Sequence, residues 1–167
     1  MQVGFDNISE HIISIDDFSL KWRFTDENYD KLPDIHLEQL KPLDKEASLF
    51  LWNYISKAGL YDDVPFKKNL FRTIDHLPNV LDNEKDTKKW LYKSGPAPEE
   101  RIFLSYQRDM AMIVPWKLLV EYFDSFYYPV SDDLTVFDQS LNWALLFFHE
   151  DEIYFGANEK FSNYVQQ

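Results

Sequence analysis

The chain contains no cysteine. That absence excludes a disulfide framework, a thiolate nucleophile and cysteine-bound zinc. Glycine is almost as scarce. Gly4, Gly59, Gly95 and Gly156 are the only four, and each stands alone. A Walker loop and a dinucleotide fingerprint both need closely spaced glycines, so that backbone can approach phosphate. Neither can be written here, and no Gly-x-Ser-x-Gly elbow exists. His149-Glu150 opens a zinc-protease pattern, but Ile153 stands where the second histidine would be needed. Long apolar runs are missing too, and nothing approaches the roughly 20 residues of a membrane span. Met1 to Asp6 shows no basic region followed by an apolar stretch, so no secretory signal is expected. These absences lead to the expectation of a soluble cytoplasmic chain with no membrane contact and no cofactor.

What the chain has in quantity is aromatic side chains and negative charge. Its 167 residues include 14 Phe, 10 Tyr and 5 Trp, enough for a dense core of large rings. A chain of this length fits a single domain, 1–167, that needs no staple. The net charge is −12, and it is unevenly spread: about −7 in residues 1–63, +1 in 64–100 and −6 in 101–167. An acidic body repels phosphate backbones and anionic membranes, so no nucleic acid is expected as a partner. Two readings of the charge remain open, solubility alone or an acidic face that meets a basic protein partner. The pattern carries no information on oligomeric state.

Ser94-Gly95-Pro96-Ala97-Pro98 is the richest breaker stretch. It divides a helix-rich part, 1–98, from a strand-rich part, 99–156, with a patternless tail over 157–167. In the first part, Phe18, Leu20, Trp22 and Phe24 alternate with polar residues and predict a half-buried strand. Ala47, Phe50, Leu51, Tyr54, Ile55 and Ala58 mark one face of a helix that Gly59 ends. A second helix is predicted from about Asn83 to Lys93, with acids early and lysines late. In the second part, 101–106 and 110–114 predict a hairpin, and Pro115 opens a helix. Strands follow at 134–137, 142–148 and 153–155. This order predicts an α+β fold, an antiparallel sheet with helices packed mainly on one face.

One polar group stands out. A hairpin between 134–137 and 142–148 would carry Asp132 and Asp133 towards His149 and Glu150. Carboxylates beside an imidazole suit a divalent metal or acid–base work, as in a small hydrolase. The same residues are also ordinary turn formers, and both readings stand at this point. Tyr122, Tyr127 and Tyr128 cannot all face inward along one helix. With Asp151 and Glu152 they are candidate partner-binding residues, since exposed tyrosine beside carboxylate suits a protein interface.

Arg101 to Tyr106, Pro115-Trp116, Phe126-Tyr127-Tyr128-Pro129, Ser131-Asp132-Asp133, Trp143, His149-Glu150 and Phe155-Gly156 together resemble an uncharacterised family of small bacterial proteins of unknown function, over about residues 99–156. That resemblance implies no catalytic residue. The Trp-x-x-x-x-x-His-Glu stretch, the size and the charge are more loosely similar to acidic immunity-type proteins, which neutralise bacterial toxins. That similarity implies a protein partner.

Overall fold

The computed structural model describes residues 2–161. The predicted tail therefore lies partly outside the described residues. Seven strands form one antiparallel sheet: β1 (Lys41–Pro42), β2 (Thr73–Pro78), β3 (Arg101–Gln107), β4 (Met110–Pro115), β5 (Leu134–Phe137), β6 (Trp143–Phe148) and β7 (Glu152–Ala157). Their order across the sheet is β1-β4-β3-β5-β6-β7-β2. The helices are α1 (Trp22–Thr25), α2 (Asp34–Leu37), α3 (Lys45–Lys57), α4 (Glu84–Ser94), α5 (Trp116–Glu121) and α6 (Phe123–Phe126). The α+β architecture is the one expected.

Alternation along the strands builds a core on each face of the sheet. Leu104, Met112, Val136, Leu145, Phe147 and Phe155 point to one side, where they meet side chains of α1, α4, α5 and α6. Phe103, Ile113, Phe137 and Leu146 point to the other, where α3 supplies Ala47, Leu51 and Ile55. Most helices thus share one face, and the longest covers the other. This is why β6 is apolar throughout: it is sandwiched between two cores.

Local chemistry sets the ends of α3. Asp44 caps it, its carboxylate accepting the Ala47 N–H at 2.9 Å. Gly59 leaves it at φ +71°, a conformation that costs a residue without a Cβ little. Gly156 has a different reason. A Cβ there would lie 2.3 Å from the Phe71 ring.

The predicted strand over 18–24 does not form. Lys21 to Asp26 turn as a helix, with Phe24 N–H donating to Lys21 O and Asp26 N–H to Trp22 O. The apolar residues of the alternating run do face the core, since Phe18 and Phe24 are buried. The supposed wet face fails, because Arg23 is buried as well. Two strands in the helix-rich part, β1 and β2, were not foreseen. Lys41–Pro42 is too short to show a period, and β2 is an edge strand with most residues exposed.

Candidate functional site

The β5–β6 hairpin brings Asp133 to His149, as the sequence suggested. The Asp133 carboxylate accepts the His149 backbone N–H at 3.0 Å and lies 2.9 Å from ring Nδ1. Both side chains are about half exposed, at 55% and 44%. An imidazole oriented by a carboxylate is the base half of an acid–base site. At an open hairpin end water screens it, and the pair adds little to stability.

Asp132 goes elsewhere, which corrects the four-residue grouping. Adjacent residues of an extended chain point to opposite sides, so when Asp133 faces His149 its neighbour turns inward. There Asp132 meets Arg23 in a two-pronged ion pair, at 2.7 Å from one guanidinium nitrogen and 3.2 Å from the other. The two side chains are only 5% and 8% exposed. Asp132 also accepts the Tyr128 N–H at 2.8 Å and the Ser131 hydroxyl at 3.3 Å. Arg23 donates further to Phe126 O at 3.3 Å, an oxygen that also accepts the Tyr106 hydroxyl at 2.7 Å. Burial pushes the Tyr106 hydroxyl well above the usual tyrosine range, and nearby Arg23 only partly offsets this. The pair is a clamp that ties α1 to the loop after α6. Its carboxylate has no free lone pair aimed at His149. Among the described residues, no three imidazole or carboxylate side chains converge as metal ligands.

The rest of the acidic tip belongs to the turn. Glu150 is exposed. Asp151 takes φ +60° and accepts the Leu81 N–H at 3.2 Å. Glu152 begins β7, where its carboxylate accepts from His76 Nε2 at 3.1 Å and from the Tyr154 hydroxyl at 3.0 Å. His76 in turn stacks on Tyr154 with ring centroids 4.6 Å apart.

The three candidate tyrosines separate. Tyr127 is fully buried and donates its hydroxyl to Phe148 O, so it offers no surface to a partner. It closes α6, and its ring turns onto Phe147 of the sheet. Tyr122 is half-buried, its hydroxyl 2.5 Å from His36 Nδ1. Tyr128 is half-buried too, and the Arg23 guanidinium sits 4.1 Å from its ring centroid.

Sequence reasoning named Tyr128 but missed Arg23, which lies against its ring, and Trp22 and Tyr29 as its neighbours. Trp22 packs edge-on to Tyr128 at 5.5 Å and against Tyr29 at 4.9 Å. The 25–31 loop returns Tyr29 to this place. Asp26 accepts the Asn28 and Tyr29 N–H groups, and Leu32 N–H closes the loop on Phe24 O. The available signal was Arg23 set between two aromatic residues, Trp22 and Phe24, in a run that alternates apolar with polar residues. Arginine in such company often has a partner elsewhere in the chain.

Two cavities, of about 390 and 320 Å³, lie away from this region. One runs along α3 beside Phe50 and Tyr54, and the other lies beside Trp143 and Asp138. No helix among the described residues is long and apolar enough to cross a membrane. No family model, no curated protein and no solved structure matches the chain.

Proposed function

We propose that the chain is a non-enzymatic cytoplasmic protein that binds a basic protein partner. One observation carries the reading. The chain bears a net charge of −12, and Arg23, a buried cation, is already spent on Asp132. The exposed carboxylates Asp133 and Glu150 therefore face water with their charge undiminished by it. Such a field draws in a positive partner and speeds encounter, more strongly at low salt. An immunity-type inhibitor that covers a basic toxin is one form of this activity. The test is affinity capture on the full chain from the source lysate, at about 50 mM and about 500 mM salt. A basic protein retained at the lower salt and released at the higher supports the reading. No partner at low salt, or only acidic partners, overturns it.

A second reading rests on the 2.9 Å contact between Asp133 and His149. It makes the pair the acid–base or metal-binding centre of a small hydrolase, without Asp132 and with no third converging ligand among the described residues. A thermal-shift screen with zinc, manganese and magnesium tests its metal form. A melting temperature that no ion moves sinks that form.

A further inference from the structure

Resting on that reading, we infer that the partner docks on the surface formed by Trp22, Tyr29, Tyr128 and Val130, and that it presents there a segment bearing arginine or lysine. Tyr29 is 48% exposed and Val130 89% exposed, while Trp22 and Tyr128 are half-buried. Trp22, Tyr29 and Tyr128 are joined by ring contacts, and Val130 follows Tyr128 by two residues in the chain. Val130 N–H donates to His149 O at 2.9 Å. The patch is thereby continuous with the Asp133–His149 end of the sheet.

The rings are held before any partner arrives. The Arg23 guanidinium lies 4.1 Å from the Tyr128 centroid and 5.4 Å from that of Trp22. Its ion pair with Asp132 fixes it from beneath. Aromatic anchors already in place lose little entropy on binding and make effective hot spots. Because Arg23 already draws on the electron density of these rings, a second cation gains less from them. It would sit on carboxylates, with its alkyl stem on the rings.

Those carboxylates are at hand. Asp26, Glu27 and Asp30 stand in the loop that carries Tyr29, where the one cation, Lys31, lies 3.9 Å from Glu27. Residues 121–133 hold Glu121, Asp124 and Asp133, besides Asp132, which is buried against Arg23, and no lysine or arginine. The Asp124 carboxyl is pushed above its ordinary value by burial first, then by Glu84 and Asp30, despite Lys88. Asp30 and Asp124 thus lie close enough to act on one another. A second copy of the chain would bring the same charge and be repelled, as would a nucleic acid or an anionic membrane.

The experiment titrates the full 15N-labelled chain with a synthetic peptide of alternating arginine and leucine. The same peptide with glutamate for arginine is the control. Backbone amide shifts concentrated at residues 22–30, 128–133 and 149–151 are expected, with the glutamate peptide inert. Tyr29→Ala and Val130→Ser, both at exposed positions, should weaken binding at least about fivefold. Leu49→Ser, an exposed apolar site on α3, should leave it unchanged. Shifts spread over the whole acidic surface, or variants that bind as the parent does, overturn this placement and leave the basic-partner reading intact. An arginine peptide that does not bind at all at low salt overturns the reading itself. The shift map uses the unaltered chain, so it decides the matter even where a variant folds poorly.

Discussion

Arg23 and Asp132 are 109 positions apart in the chain and meet where water barely reaches. Two buried charges cost desolvation that their attraction repays only with good geometry, and removing one leaves the other stranded. Arg23→Met should therefore cost about 3–5 kcal/mol, read as a lower urea midpoint. Adding Asp132→Asn should recover part of this, because the amide carries no charge and its oxygen can still accept the Tyr128 N–H. Asp124 makes the opposite case. Its folded-state carboxyl is raised above the ordinary value, first by burial and then by Glu84 and Asp30. Between the ordinary value and the raised one, the folded chain holds more protons than the unfolded chain, so stability falls as pH rises through that window. Above it the cost is fully present. Asp124→Asn should then raise the melting temperature at pH 7, by less than about 4 °C for a half-exposed group. The gain should shrink towards pH 4. A gain that grows on acidification would refute the assigned cause.

At the scale of elements, β7 shows how a strand is shaped by what lies on it. Phe71 rests where the Cβ of any other residue at position 156 would be, with only 2.3 Å between them. Gly156 is paired with Ala144 of β6 and Ile74 of β2, in the interior of the sheet. The backbone there has little room to yield. Gly156→Ala should destabilise by about 1–3 kcal/mol through overpacking, measured by chemical denaturation. Helix α3 could be foreseen from its unbroken helical period, and the β3–β4 hairpin from two mainly apolar runs around Gln107-Arg108-Asp109. The 18–24 segment could not. Four apolar residues at alternating positions fit a strand, but a strand needs a neighbour, and this segment turns into α1 instead. Its alternation arises because Phe18 and Phe24 reach the core from successive turns while Arg23 reaches Asp132.

At the scale of the whole molecule, a net charge of −12 on a small body repels itself. Raising the salt from about 10 to about 150 mM shortens the screening length from about 30 to about 8 Å. The melting temperature should rise over that range, and any complex with a basic partner should weaken. A chain that loses stability on adding salt would mean that attractive pairs outweigh the surplus. The described ion pairs argue against this. Only Arg23–Asp132 is buried, while Lys31–Glu27 spans 3.9 Å at the surface.

The sequence by itself determined the composition of the core, the charge, the excluded chemistries and most elements of the second part. These follow from local periods and residue types, which need no knowledge of distant neighbours. It also placed Asp133 beside His149, because a short hairpin has only one simple register. Only the tertiary structure decided that Asp132 and Tyr127 turn inward, that helices cover both faces of the sheet, and that Arg23 holds Trp22 and Tyr128. Each of these depends on a contact between segments far apart in the chain. Neighbouring residues such as Asp132 and Asp133 are alike in sequence, and only the fold assigns one to the core and the other to water.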